Sequence, residues 1–267
     1  MMFVCRRFAV LVLLGVLSGC PAGPHGPGTG RGTPVAAPSS QPAPGATPLH
    51  EGRPYVVSSG ESLLTVLAFK GGTLAKAGHN HVIASHDVTG TIYVPNDPLR
   101  TTFEMHLPVA QLAVDERELR VREGPDFPPE VPDSAKEGTR RNMLSTALLD
   151  GDQFPQIVLE QGAVPERRAM SNQDAAPSAV ASAAGSRRID APVQITIRGQ
   201  AHTLSVPLSY DLSDSQLVIT GEVPIRQSEL GLTPFSALLG ALQVQDEMRV
   251  KFRFVAHPAE VHGAPGS

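Results

Sequence analysis

The chain reads as an all-β domain: a closed antiparallel barrel of about eight strands, with one or two short helices and a helix near one end. Three observations predict this. From Tyr55 onward, apolar and polar residues alternate with period two through most of the sequence. Turn residues interrupt the alternation at short intervals, and short connections make neighbouring strands antiparallel. Only two segments break the pattern with helical spacing.

The clearest strand is Met248 to Ala256. Met248, Val250, Phe252, Phe254 and Ala256 share one face, and Arg249, Lys251 and Arg253 share the other. That is the signature of a half-buried strand. Leu204, Val206, Leu208 and Tyr210 alternate in the same way, as do Phe103, Met105 and Leu107, and Val193, Ile195 and Ile197. Tyr55–Ser58, Leu63–Phe69, Val88–Val94, Pro155–Gln161 and Gln216–Ile225 are further predicted strands. Arg198-Gly199-Gln200-Ala201 reads as a hairpin turn. Ser134 followed three residues later by Glu137 predicts a capping box. Met143, Leu144, Ala147 and Leu148 continue that helix until Asp150-Gly151 stops it. A second short helix is predicted at Ser236–Leu242.

The N-terminus has a different character. Arg6 and Arg7 precede an apolar run from Phe8 to Val16, too short for a comfortable membrane span, followed by Leu17-Ser18-Gly19-Cys20. Residues 1–19 read as a secretory signal. A cysteine after Leu-Ser-Gly resembles the bacterial lipobox, which implies acylation of Cys20. Pro21 in place of an aspartate resembles outer-membrane sorting, so the expected location is the cell envelope, on the outer membrane facing the periplasm. Cleavage would remove Cys5 and leave Cys20 as the only cysteine, so no intramolecular disulfide is expected. Residues 20–54 form a Pro/Gly-rich tether that cannot offset the entropy of ordering itself. It would span about 30 Å as a coil and about 100 Å if polyproline-like. The folded domain is expected over 55–258, with a low-complexity, disordered insertion at 165–188 and a tail at 259–267.

Charge and motifs exclude several functions. Acidic residues number 26 against 22 basic ones, and no basic patch is interleaved with aromatics, so nucleic acid is not an expected partner. Neither a Gly-x-Ser-x-Gly elbow nor a phosphate-cradling glycine loop is present, so no catalytic residue is assigned. Asp115-Glu116 and Glu118 read as solvated surface. His79 and His81 stand at i and i+2, where both rings of an extended strand could reach one metal, with His86 and Asp87 close by. No second ligand cluster has convincing spacing. The expected metal and cofactor are therefore none, and the two histidines read as structural or mouth-lining groups.

Several landmarks, in order, resemble the YceI-like family of lipid- and polyisoprenoid-binding proteins. They are Tyr55 with Ser62-Leu63-Leu64; Gly78-His79-Asn80-His81-Val82-Ile83 with Val88-Thr89-Gly90-Thr91-Ile92; and Asn142-Met143-Leu144-Ser145 through Phe154-Pro155-Gln156-Ile157. Ile195-Thr196-Ile197-Arg198-Gly199, and Ile225 through Leu232 with Val244 to Phe254, complete the series. The resemblance implies a lipocalin-like barrel whose lumen takes a long isoprenoid or fatty chain. The expected partners are an amphiphilic lipid in the barrel and the membrane through acylated Cys20. Phe103, Met105, Leu107, Leu204, Val206, Leu208, Val250, Phe252 and Phe254 are the candidate ligand-binding residues. Met143, Leu144 and Leu148 are candidates for a lid, and His79 and His81 for the mouth. Two other functions stay open at this point: a metal-dependent or redox accessory protein using His79 and His81, and a solid barrel acting as a surface adaptor.

Overall fold

Among the described residues, twelve strands, paired antiparallel throughout, form one sheet that curls until its first strand meets its last. The computed structural model describes residues 50–97, 100–162 and 186–259. The predicted signal, Cys20, most of the tether, most of the 165–188 insertion and all but the first residue of the tail lie outside the described residues. In chain order the strands are β1 (Arg53–Val57), β2 (Leu63–Gly71), β3 (His81–Ser85), β4 (Thr89–Val94), β5 (Thr102–Pro108) and β6 (Ala113–Val114). Helices α1 (Arg117–Arg122) and α2 (Asp133–Leu144) follow. The second half contains β7 (Gln156–Gln161), β8 (Arg187–Ile197), β9 (Gln200–Leu212), β10 (Leu217–Arg226), β11 (Ser236–Ala237) and β12 (Leu242–Pro258).

The ring runs β1–β4–β5–β7–β8–β9–β10–β12 and closes where Val57 pairs with Ala256 and Tyr55 with Pro258. Eight antiparallel strands thus make a closed barrel of the lipocalin-like form that the family resemblance implies, and the alternation had marked most of its strands. β12 is long enough to pair with both β1 and β2, which behave as one strand broken by a 3₁₀ turn at Ser59–Glu61. β3 and β4 are broken at the same level. Ser59 Oγ donates to the Val88 carbonyl at 2.8 Å, and the Val255 N–H donates to Ser62 Oγ at 3.0 Å, so the two breaks are tied to their neighbours. Pairing of β1 with β12 closes the ring at that level, and β2, β3 and β6 continue the wall beyond the two breaks, with Leu64, Val66 and Ile83 facing the interior.

Period two places the main core inside. Ala191, Val193, Ile195 and Ile197 of β8 and Val206 of β9 are all buried there. β2 and β3 are apolar on both faces for a separate reason. Their outer residues Leu67, Val82 and Ala84 pack beneath Leu119 of α1 and Phe127, a second cluster outside the barrel. Burying a side chain such as Phe127 contributes about 1.5–3 kcal/mol, enough to hold a two-turn helix that would not form alone.

Four local expectations need correction. α2 ends at Leu144, with Ser145 extended, so Ala147 and Leu148 follow in turns instead of a further helical turn. Its N-cap is Pro132 with no side-chain cap bond, because Asp133 and Ser134 already lie inside the helix. Ser236–Leu242 is a hairpin tip, not a helix: β11 pairs with β12, and Leu238–Gly240 forms a 3₁₀ turn between them. Arg53 and Pro54 at the domain edge, and Arg187 and Arg188 in the expected insertion, are already strand, held by pairing to Val94 and Tyr93 and to Tyr210 and Ser209. The hairpin at Arg198-Gly199 is as expected. Both residues have positive φ (50° and 70°), the geometry of a two-residue turn between Ile197 and Gln200.

Candidate functional site

The barrel interior is divided. A cavity of about 520 Å³ occupies the end nearer α2, and a smaller one of about 110 Å³ occupies the other end. Along β8, Ile189 and Ala191 line the smaller chamber and Ile195 and Ile197 the larger, while Val193 between them lines neither. The same layering recurs in β5, where Phe103 faces the small chamber, Leu107 the large one, and Met105 the partition. Phe252 and Phe254 stack with centroids 5.2 Å apart and help fill that partition.

The larger chamber is apolar along its walls and polar at one end. Leu107, Leu159, Ile195, Ile225 and Val250 line the walls. Ala135, Gly138, Thr139 and Asn142, at helical spacing on one face of α2, form a roof of small and polar side chains. Arg140 docks that helix, donating to the carbonyls of Leu112 and Ala110 at 2.5 Å each. Lys70, His79 and Gln243 complete the polar end.

Beneath the roof runs a chain of polar contacts. His81 Nδ1 lies 2.6 Å from Asp115 Oδ2, and Thr139 Oγ1 lies 3.2 Å from His81 Nε2. The Val82 N–H donates to Asp115 Oδ1 at 2.9 Å, and Arg120 Nη1 pairs with the same oxygen. Arg120 also donates to the carbonyls of Pro128 (2.6 Å) and Asn80 (2.7 Å). Burial pushes the Asp115 carboxyl up, but the bonds from His81 and Val82 and the positive charges of His81 and Arg120 outweigh it and hold it below the ordinary range. His79 is lowered by partial burial first, then by the positive groups of His81, Arg120 and Lys70. Asp115 is therefore not solvated surface as expected. It and Arg120 are both about 1% exposed, and the Asp115 backbone has φ 57°.

Carboxylate, imidazole and hydroxyl stand in the order that activates a nucleophile in hydrolases. Thr139 lies inside α2, where the backbone N–H groups around it are engaged by the helix itself. The chain of contacts fixes the His81 ring and presents it to the cavity.

Of the expected site residues, Leu107, Val250, Met143, Leu148, His79 and His81 line the larger chamber, and Phe103 and Leu208 line the smaller. Met105, Leu204, Val206, Phe252, Phe254 and Leu144 line neither. The first five point inward but at the level of the partition, and Leu144 packs against the core. Cys20 lies outside the described residues. Sequence reasoning did not single out Leu64, Val66, Ile83 and Ile157 as site residues, though all four line the larger chamber. Apolar residues on both faces of β2 and β3 hid which side of those strands meets the chamber. His79 and His81 share the cavity wall with ring centroids 6.3 Å apart, while His86 turns away to Glu116 at 2.6 Å. Among the described residues, no cluster of three or more His, Cys, Asp or Glu could hold a metal ion.

Fold and site together define a binding-type antiparallel barrel with an apolar internal chamber. The sequence matches the YceI-like domain over residues 63–256, and the chain belongs to that family. No curated protein matches it. Among solved structures, BcnA of Burkholderia cenocepacia is 15% identical, with 75% of this chain and 99% of that one covered and a TM-score of 0.49. A polyisoprenoid-binding domain from Saccharophagus degradans implicated in plant cell wall breakdown is 10% identical, covering 76% and 98%, with a TM-score of 0.47. The YceI protein of Campylobacter jejuni is 8% identical, covering 67% and 85%, with a TM-score of 0.40.

Proposed function

We propose that this protein binds a long apolar amphiphile, an isoprenoid, isoprenoid quinone or fatty acyl chain, and carries or sequesters it at the cell envelope. The observation that carries the reading is the chamber of about 520 Å³, apolar along its walls and polar at one end. Its volume falls within the range of small-molecule sites. Each Å² of chain buried there contributes about 25 cal/mol, so several isoprene units would bind without many polar contacts. The ligand's head group would meet His81, Thr139 and Asn142 under α2, with Met143 and Leu148 closing over the chain. The open chamber favours this reading over a solid adaptor barrel.

The same proposal places the protein on a lipid anchor. Cleavage after Gly19 and acylation of Cys20 would hold the barrel at the outer membrane, facing the periplasm. Two acyl chains would make that anchorage stable, since each buried CH₂ contributes about 0.8 kcal/mol. Native extraction followed by mass spectrometry tests the cargo: a lipid should co-purify at a stoichiometric level, and repeated recovery of empty protein would sink the reading. Metabolic labelling with a tagged fatty acid tests the anchor, because Cys20→Ala should abolish incorporation.

A further inference from the structure

Two loops rim the larger chamber, and both are apolar at their tips. In the β11–β12 hairpin, Phe235 and Leu242 line the chamber, and the Val244 N–H donates to the Phe235 carbonyl at 2.9 Å. At the hairpin's tip, Leu238 is 68% exposed and Leu239 is 109% exposed. Leu238, Leu239 and Gly240 all have positive φ, at 51°, 55° and 86°. Leucine rarely occupies that region, so the turn holds two apolar side chains outward in a strained backbone. The second loop joins it directly. The Leu74 N–H donates to the Ala241 carbonyl at 2.7 Å, and Leu74 is 47% exposed. Ala77 and Gly78 of the same loop line the chamber.

Within the two loops the charge is one-sided, and acidic residues resume outside them at Glu229, Asp246 and Glu247. Segments 70–80 and 231–245 contain no aspartate or glutamate, although the chain carries 26 acidic residues. Their only fully charged side chains are Lys70 and Lys76. An apolar tip continuous with an apolar chamber, carrying Lys76 and no acidic residue in its own two loops, suits an anionic lipid surface.

We infer that the Leu238-Leu239 turn, with Leu74 and Phe235, is a membrane-contact tip. It inserts into the boundary between head groups and acyl chains and sets the chamber mouth against the bilayer. A ligand then passes between bilayer and barrel without its chain crossing water. That passage rests on the lipid-binding reading above; the insertion does not.

The chain contains no tryptophan, so Leu239→Trp supplies a single reporter at a fully exposed position. Asp214→Trp, in the exposed β9–β10 turn beside the smaller chamber, is the reference. The full chain is mixed with vesicles of phosphatidylcholine and phosphatidylglycerol, some carrying brominated acyl chains. The Leu239→Trp emission should shift to the blue and be quenched by the brominated lipid, while Asp214→Trp keeps a water-exposed spectrum at the same vesicles. Adding Leu238→Asp to the Leu239→Trp chain should abolish the shift. Equal spectra and equal quenching at the two positions would overturn the inference, as would a Leu239→Trp shift produced only by a protein partner. A barrel that takes no lipid would leave the blue shift intact and remove only ligand transfer, so the two readings fail separately.

Discussion

The Nδ1 of His81 lies 2.6 Å from the Oδ2 of Asp115, whose side chain has no exposed surface. That contact joins the two halves of the molecule's chemistry. On one side of Asp115 stands Arg120, which ties α1 and the loop at Pro128 to the approach of β3. On the other stands His81, whose far nitrogen meets Thr139 on the cavity roof. Structural support outside the barrel therefore fixes a polar group inside it. Asp115→Asn should cost about 3–5 kcal/mol, because it leaves the Arg120 charge buried without its counter-ion. Asparagine tolerates the positive φ of this position, so backbone strain does not confuse the result. Urea unfolding should show a lower midpoint with an unchanged slope. Adding Arg120→Met should recover part of the loss, since an apolar replacement removes the orphaned charge.

The same carboxylate sets a pH dependence. The folded-state pKa of Asp115 is depressed: burial raises it, but the His81 and Val82 hydrogen bonds and the neighbouring positive charges win. A group depressed on folding stabilises the fold above its unfolded pKa, and that contribution disappears as pH falls through the folded value. Stability should therefore decline on acidification below about pH 4, the ordinary aspartate range. Thermal melts across that interval should show the decline, and Asp115→Asn should show a shallower one. Equal slopes in the two proteins would mean that other carboxylates carry the effect.

What the sequence made legible was facing, and what it hid was depth. Met248, Val250, Phe252 and Phe254 alternate so cleanly that their inward face needs no structure. Yet Val250 lines the large chamber while Phe252 belongs to the partition. Period two carries no information about height along the barrel axis, which depends on the stagger between strands. Asp115 was hidden for a different reason. It lies in a polar stretch with Glu116 and Glu118, and only the tertiary return of Arg120 and His81 removes it from water. The α2 roof was half legible. Met143 belongs to it as the spacing suggested, but the chamber-facing stripe of Ala135, Gly138, Thr139 and Asn142 is too polar to register as an apolar face.

The divided interior predicts two different outcomes for the same substitution. Val206 is buried and lines neither chamber, so Val206→Trp overpacks the partition and should cost about 1–3 kcal/mol. Ile195 lines the larger chamber, and Ile195→Trp can project into open volume at a smaller cost. The second variant should nonetheless lose uptake of a fluorescent fatty-acyl probe, because the indole takes the ligand's place. Chemical denaturation and probe titration on both variants check this. Equal destabilisation at the two positions would show that the chamber collapses around added bulk.

Gly221 and Phe252 pair across β10 and β12, and the missing side chain of one makes room for the ring of the other. A Cβ on Gly221 would stand 2.8 Å from Phe252 Cε1 and 2.9 Å from the Pro207 carbonyl oxygen. Gly221→Ala must therefore displace a ring already stacked on Phe254, at a cost of about 1–3 kcal/mol. Phe252→Ala should cost about 3–5 kcal/mol by leaving a void in the partition. In the double variant the new methyl enters the space the ring has left. The combined loss should then fall short of the sum by about 0.5–3 kcal/mol, the range for residues in contact. A double-mutant cycle in urea measures that coupling, and strict additivity would place the ring elsewhere. Opening the partition also connects the two chambers, so Phe252→Ala should admit longer acyl probes than the parent protein while leaving the affinity for short ones little changed.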